Sequence, residues 1–204
     1  MSLIAQSLLD EKAVFLRPEE PFTWTSGIKS PISCDNRMLI SAPQARSLIV
    51  DQFVHLIQEQ KLHPEIIAGT ATAGIPWAAW IADRLRLPMV YVRSSAKDHG
   101  RKNLIEGKIT PSDKVLLIED LISTGKSSLA AAQNLEDNQM KVLAVLGLFH
   151  YNFPMAHKTF SNKGLAVHAL CTLDQLLEFA SSTKKISEEQ RKDILSWRQN
   201  TQIP

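Results

Sequence analysis

Short apolar runs recur along most of this chain, separated by segments in which apolar and polar positions alternate at a longer period. Runs without polar alternation are typical of strands that are buried on both faces of a parallel sheet. They predict strands at about residues 65–68, 89–93, 115–120, 142–150 and 165–171.

The segments between the runs carry apolar residues at the three- and four-residue spacing of an amphipathic helix. They predict helices at about residues 2–13, 41–60, 75–86, 126–138, 153–160 and 187–199. The last of these begins with Ser187 and Gln190, which form a capping-box pattern. Strands that alternate with helices predict an α/β fold of right-handed βαβ units, with a central parallel sheet flanked by helices.

The N-terminal part of the chain follows neither pattern beyond its first helix. Three prolines and one glycine interrupt residues 14–40 and prevent any long element there. We therefore expect a small N-terminal hood at residues 1–40 and a core at residues 41–204, within a single domain overall.

The most informative segment is the strand predicted at residues 115–120 together with the turn that follows it. The strand ends in two carboxylates, Glu119 and Asp120, for which the sequence shows no partner, and residues 123–128 are rich in Ser, Thr and Gly. Ligands of open α/β sheets bind at the carboxyl ends of the strands, and backbone N–H groups at a helix start favour an anion. The acid pair suits the two hydroxyls of a ribose, and the turn suits its 5-phosphate.

One position argues against a nucleoside triphosphate loop. Gly125, Lys126 and Ser127 match the end of a Walker A loop, which requires a glycine five residues before its Gly-Lys pair. Asp120 occupies that position, and its carboxylate would repel a triphosphate. The segment therefore indicates a site for one sugar phosphate.

Composition and charge narrow the class of protein further. The formal net charge of +2 argues against a general nucleic-acid binder, which would carry a strongly basic face. Cys34 and Cys171 show no metal-ligand spacing and predict reduced thiols. No segment has the length of a membrane span or a signal peptide. We expect a cytoplasmic enzyme without a membrane or nucleic-acid partner.

Four segments together resemble the type I phosphoribosyltransferases, in particular those that act on orotate. IEDLISTGKSS resembles the family's phosphoribosyl pyrophosphate (PRPP) motif, and three further segments resemble its orotate-side segment, its pyrophosphate loop and its mobile catalytic loop. The four segments are residues 118–128, 22–37, 68–76 and 91–107. The resemblance implies transfer of a 5-phosphoribosyl group from PRPP to orotate, which gives orotidine 5′-monophosphate and pyrophosphate in de novo pyrimidine (UMP) biosynthesis.

The resemblance also implies which residues form the site. It assigns catalytic roles to Lys97, His99, Glu119 and Asp120. It assigns PRPP binding to Arg93, Lys97, His99, Glu119, Asp120, Leu121, Ile122, Ser123, Thr124, Gly125, Lys126 and Ser127. It assigns orotate binding to Lys29 and Ser123. Mg²⁺ is implied as a cofactor that PRPP carries, without a metal site made of protein ligands alone.

Residues 94–107 combine two glycines with several charges and little apolar content, which is typical of a mobile lid. In the family that the chain resembles, this lid reaches the neighbouring subunit's site, which implies a homodimer. Other branches carry an arginine near the position of Tyr151 that meets the orotate carboxylate. This chain has none there, and backbone groups near Lys29 or Arg37 are the alternatives.

Two other functions remain open at this point. The first is a phosphoribosyltransferase for a different base, because the sugar-phosphate residues would look the same. The second is a regulatory protein that binds PRPP without catalysis. Arg93, Lys97, His99 and the acid pair are all present, and they argue for an enzyme.

Overall fold

The computed structural model describes residues 2–24, 27–94 and 104–201. The helices are α1 (Ser2–Asp10), α2 (Pro43–Glu59), α3 (Gly74–Leu85), α4 (Lys126–Asp137), α5 (Pro154–Lys163), α6 (Leu173–Ser182) and α7 (Glu188–Asn200), with a 3₁₀ helix at Asn36–Ser41. The strands are β1 (Val14–Leu16), β2 (Phe22–Thr23), β3 (Lys29–Ser30), β4 (Ile32–Cys34), β5 (Ile66–Thr70), β6 (Met89–Val92), β7 (Ile105–Glu106), β8 (Lys114–Ile122), β9 (Lys141–His150) and β10 (Val167–Thr172).

The core of the fold is a six-stranded sheet in the order β10-β9-β8-β5-β6-β7. The pairs from β10 to β6 are all parallel, whereas β7 pairs antiparallel with β6 at the edge. The predicted central parallel sheet with helical covers is thus confirmed. The antiparallel edge strand was not predicted, because two residues are too few to produce a hydrophobic period.

Helices cover both faces of this sheet, which explains why its central strands lack polar alternation. Along β8, Leu116 and Ile118 pack in a cluster with the apolar sides of α1, α2, α3 and α6. Val115 and Leu117 point the other way and pack with α4 and Phe160 of α5. All four of these strand side chains are fully buried.

The sequence predicted the elements of the core within a few residues but missed one helix. Helix α6 begins at Leu173, immediately after β10 ends at Thr172, so no turn separates them. Thr172 itself caps the helix in a capping box with Gln175. Strand β8 also runs two residues past the predicted end, so the acid pair lies inside the strand and not at its last positions.

The N-terminal hood consists of short pieces held by a few specific contacts. Strands β1 and β4 form one antiparallel pair, and β2 and β3 form another. The hood's fully buried residues, such as Ile32 and Leu39, belong to the same cluster as α2 and α3. The hood therefore packs directly on the core.

Two further expectations concern the chemistry of the chain as a whole. Cys34 and Cys171 are both free thiols, as the sequence predicted. No helix in the described part of the chain is long and apolar enough to cross a membrane.

Replacing Phe53 by alanine tests the packing of α2 on the sheet. Phe53 is fully buried in the larger cluster, so its loss removes apolar contacts and leaves a cavity. The free energy of unfolding should fall by about 3–5 kcal/mol, measured by urea denaturation. Met38→Ala, at a side chain that is 50% exposed, is the control and should cost less than about 1 kcal/mol. Equal losses in the two variants would contradict the packing described here.

Candidate active site

The site lies where two neighbouring strands of the sheet send their following helices to opposite faces. Strand β5 leads into α3, which packs in one cluster, and β8 leads into α4, which packs in the other. The ladder between β5 and β8 ends at the pair Gly69 and Ile118, while β8 continues beside β9 to Ile122. The backbone therefore opens a crevice at the carboxyl edge, which is the usual ligand position in such sheets.

A cavity of about 560 Å³ occupies this crevice. Its lining comes from the hood, the β5–α3 loop, strand β8 and the start of α4. The lining residues are Cys34, Asp35, Arg37, Ala71, Thr72, Ala73, Glu119, Asp120, Leu121 and Ser127. The fold thus brings three of the four resembling segments to one place.

Glu119 is the buried acid of the site, with only 6% of its surface exposed. Thr70 Oγ1 donates to its Oε1 at 2.6 Å, and Ser128 Oγ donates to its Oε2 at 3.2 Å. Ser127 Oγ lies 3.3 Å from the same Oε2. The expectation of an unpaired carboxylate was therefore wrong for this residue. Burial raises the pKa of Glu119 to about 7. The hydroxyl donors oppose this rise, because their hydrogen bonds favour the charged form.

Asp120 is the second acid, and burial raises its pKa as well. Its backbone carbonyl accepts a hydrogen bond of 2.6 Å from Nδ2 of Asn36, which is 1% exposed. Cys34 Sγ in turn donates to Oδ1 of Asn36 at 3.3 Å. Burial raises the pKa of the Cys34 thiol, so it keeps the proton that this contact needs. These contacts fix the hood against the acid pair.

The turn after β8 has the backbone shape that an anion site requires. Gly125 has φ of +79°, and a Cβ atom there would meet the Phe160 ring at 2.6 Å. Helix α4 begins at the next residue, so its first N–H groups face the turn. The side chain of Lys126 is exposed at this start. The arrangement is an N-terminal anion site of the kind that binds phosphate.

The β5–α3 loop forms a second wall of the cavity. Residues 71–73 connect Thr70 to the start of α3, and Thr72 is exposed. A Cβ atom at Gly74 would lie 2.5 Å from Thr70 Oγ1 and 2.6 Å from the carbonyl oxygen of Ile118. Only glycine lets the first turn of α3 approach β8 this closely, so this helix start faces the same crevice.

The third wall belongs to the hood and carries a paired arginine. Arg37 Nε and Nη2 donate to the two carboxylate oxygens of Asp35 at 2.6 and 2.8 Å. The hydrogen bond from Arg37 lowers the pKa of Asp35. The Arg37 side chain is nevertheless 70% exposed. Its guanidinium therefore remains accessible at the cavity.

Lys29 lies on the hairpin of β2 and β3, and the structure does not place it in the cavity lining. Its Nζ donates a hydrogen bond to Thr23 Oγ1 at 2.7 Å, and its backbone carbonyl accepts a hydrogen bond from Trp197 Nε1 at 2.8 Å. Trp197 also packs edge-on against Trp24 and Phe153, with ring centroids 5.7 Å apart in each pair. The last helix thus supports the hairpin of the hood.

Two other expected site residues, Arg93 and Ile122, are half-buried and buried respectively. Arg93 is half-buried, and its Nη1 lies 3.6 Å from Oε1 of Glu106, outside the cavity lining. Ile122 is 1% exposed, so only its backbone can face a ligand. Lys97 and His99 lie outside the described residues, as does most of the predicted lid.

Four residues that shape the site had no role assigned from the sequence, namely Asp35, Asn36, Thr70 and Ser128, and Arg37 was named only for its backbone. Asp35, Asn36 and Arg37 stood in a segment that resembles the family, and that was the only signal for them. Thr70 and Ser128 also stood in resembling segments, but nothing in the sequence indicated their contacts with Glu119, because these hydroxyls reach the carboxylate only in the folded chain. Asn36 reaches Asp120 across 84 positions of sequence.

Comparison with known proteins agrees with this geometry. The family model described as the Phosphoribosyl transferase domain matches residues 40–151. The chain is 48% identical to the orotate phosphoribosyltransferase of Cytophaga hutchinsonii over 197 residues, which cover 97% of this chain and 94% of the relative. It is 49% identical to that of Coxiella burnetii over 194 residues, covering 95% and 93% of the two chains.

Comparison with a solved structure supports the same family. The crystal structure of orotate phosphoribosyltransferase from Aeropyrum pernix superposes with a TM-score of 0.77 at 28% identity, covering 86% of this chain and 96% of that one. The fold is that of a type I phosphoribosyltransferase. From the curated relatives, the chain belongs to the orotate phosphoribosyltransferase family.

Glu119→Gln should change how stability depends on pH. Because burial raises the pKa of Glu119 to about 7, the folded state keeps a proton that the unfolded state has lost above about pH 4.5. The stability that this group contributes is thus full at low pH and is lost as the pH rises to about 7. The variant should become more stable relative to the wild type between pH 5 and pH 8 in urea denaturation.

Glu59→Gln, at an exposed position of α2, is the matched control and should give the same difference from the wild type at both pH values. A Glu119→Gln difference that does not vary with pH would show that Glu119 is ionised throughout.

Trp197→Phe tests the support that α7 gives the hood. The phenyl ring keeps most of the aromatic packing but cannot donate to the Lys29 carbonyl, so the hairpin should loosen. We expect a loss of about 1 kcal/mol in the free energy of unfolding, with faster hydrogen exchange at residues 28–30. Unchanged exchange at these amides would contradict the role of the indole N–H.

Proposed function

We infer that this chain transfers the 5-phosphoribosyl group of PRPP to orotate and releases pyrophosphate, the step that forms orotidine 5′-monophosphate in pyrimidine biosynthesis. Membership of the orotate phosphoribosyltransferase family supports this reaction. The observation that carries it in the structure is a single cavity between an acid pair and two anion-binding helix starts. A ribose that bears a phosphate at each end matches these three features.

The reaction breaks the bond between the anomeric carbon and the diphosphate oxygen. Positive charge develops on the ribose ring while negative charge develops on the departing pyrophosphate. A site for this reaction must therefore present carboxylates to the sugar and N–H groups or cations to the diphosphate. Two acids and two helix starts that face one crevice support this assignment.

We propose that the acid pair faces the sugar and that the turn after β8 holds its 5-phosphate. Asp120 orients the ribose hydroxyls and favours the cationic ring. Glu119 is held by Thr70 and Ser128, so it fixes the two helix starts relative to each other and supplies negative charge beneath the ribose. The backbone N–H groups of residues 123–127 bind the phosphate, with the Ser127 hydroxyl at the cavity surface.

The diphosphate belongs on the opposite side of the acid pair, at the β5–α3 loop. Thr72, Ala73 and the start of α3 supply N–H groups there, whereas the N–H of Ala71 already donates to the carbonyl of Val92. We propose that Arg93, Lys97 and His99 bring further positive charge to the leaving group. Arg93 Nη1 is buried and lies 3.6 Å from Glu106 Oε1 without forming a hydrogen bond within the described chain, so an incoming anion would compete with Glu106 for this donor.

We propose that Mg²⁺ enters with PRPP. Among the residues that the structure describes, no group of three or more His, Cys, Asp or Glu side chains is placed to hold a metal ion. The carboxylate oxygens of Asp120 and Glu119 suit a cation that is otherwise held by substrate oxygens and water. When bound, Mg²⁺ would supply positive charge to the diphosphate.

We further propose a lid at residues 94–107 that closes over PRPP and excludes water, since water would hydrolyse the activated sugar. The family resemblance supports a homodimer in which the lid of one subunit serves the site of the other. A cytoplasmic location is proposed with it. The lid's cations, Lys97 and His99, would then act across the subunit interface.

Loss of orotate absorbance in the presence of PRPP and Mg²⁺ tests the reaction. The wild type should consume orotate, and removal of the metal should abolish the loss. Lys97→Ala should lower kcat by about 100-fold or more, because a donor to the leaving group is worth that much in comparable sites. Lys158→Ala, at an exposed lysine of α5, is the control and should keep full activity.

The same assay separates the competing functions. Turnover of a purine base with none of orotate would identify a phosphoribosyltransferase for another base. PRPP binding with no turnover of any base would identify a regulatory protein.

A further inference from the structure

The charged side chains that line the cavity in the described chain are mostly acidic. Its charged lining residues in the described chain are three carboxylates, Asp35, Glu119 and Asp120, and one cation, Arg37. Both orotate and PRPP are anions at neutral pH. Among the described lining residues, Arg37 is therefore the one whose charge attracts a substrate anion.

The geometry of the pair with Asp35 leaves Arg37 free to bind a second group. A guanidinium has five N–H donors in a planar fork. Asp35 takes one donor of Nε and one of Nη2, which is the side edge of the fork. Within the described chain, the end edge formed by Nη1 and the second hydrogen of Nη2 makes no contact with protein. That edge matches a carboxylate with two parallel hydrogen bonds.

The order of the walls indicates which substrate this edge meets. Thr70, which contacts Glu119, leads directly into the β5–α3 loop, so this loop lies on the Glu119 side of the acid pair. Asn36 contacts the Asp120 carbonyl, so the hood lies on the Asp120 side of the pair. A displacement at the anomeric carbon brings the base in on the side opposite the leaving diphosphate. With the diphosphate at the loop, the base approaches along the hood.

We propose that Arg37 binds the carboxylate of orotate and thereby makes the enzyme selective for orotate over uncharged pyrimidines. Asp35 holds the side edge of the guanidinium and so orients its end edge toward the base. This inference rests on the proposed function, because it assigns the base-side contact of that reaction. The specificity residue would then lie on the hood, whereas the arginine of other branches lies near the position of Tyr151 in the core.

The test compares orotate with orotamide, in which a neutral amide replaces the carboxylate. The quantities are the KM for orotate, the inhibition constant for orotamide and the KM for PRPP, for the wild type and Arg37→Gln. Loss of a bidentate charged contact should raise the KM for orotate by about 10- to 100-fold. The inhibition constant for orotamide and the KM for PRPP should each change by less than about threefold.

Asp35→Asn is the matched variant, because asparagine can still cap the 3₁₀ helix while the ion pair is lost. It should raise the KM for orotate by a smaller factor than Arg37→Gln, since the guanidinium remains. Equal effects of the two variants would mean that Arg37 only braces Asp35, and would overturn the proposal. Arg37→Lys should recover part of the orotate affinity, because the charge remains without the fork.

Two further outcomes would also overturn it. An equal rise in the KM for PRPP would place Arg37 at the phosphates, and unchanged constants would show that it faces solvent. Arg37 is exposed, so the variants should fold, which matching melting temperatures would verify. Wild-type enzyme that does not consume orotate would instead contradict the proposed function, so the two failures are distinguishable.

Discussion

The site depends on the parting of two adjacent strands. Strands β5 and β8 pair only as far as Gly69 and Ile118, because their following helices must cover opposite faces of the sheet. The crevice between them receives the first turns of α3 and α4, so two helix N-termini face one space. Burying Glu119 at this point is tolerable because hydroxyls from both sides solvate it. The carboxylate therefore joins the two halves of the sheet where the backbone ladder ends.

The hood extends the site by a second connection, which is made from side chain to backbone. The almost fully buried Asn36 donates a hydrogen bond to the carbonyl of Asp120 and accepts one from the thiol of Cys34. An amide can satisfy both neighbours at once, which neither a carboxylate nor an aliphatic side chain of similar size can do. Asn36 thus fixes the position of the hood wall relative to strand β8. Small shifts of β8 would be transmitted to this wall of the cavity.

How much of the fold and of the site the sequence could predict depends on how far apart in the sequence the interacting residues lie. The apolar run of β8 and the Ser/Thr/Gly turn are local signals, so the sheet, the crevice and the phosphate-binding turn were predictable. The partners of Glu119 were not, because Thr70 lies 49 positions away and only folding brings it near. The hood strands are two or three residues long, too short for a period to show. Helix α6 had a clear apolar stripe, but its direct junction with β10 left no turn to mark it.

The contact between Trp197 and the Lys29 hairpin has a consequence for how the chain acquires its activity during synthesis. A domain generally folds as a unit, so it is complete only when its last element has left the ribosome. The strands and the turn that we assign to the sugar phosphate have all been synthesised once β9 has emerged. The hairpin of the hood, although made first, gains its indole support only after nearly fifty more residues have followed. A chain truncated before Trp197 would therefore contain every residue named in the cavity lining and still lack the brace on its hairpin.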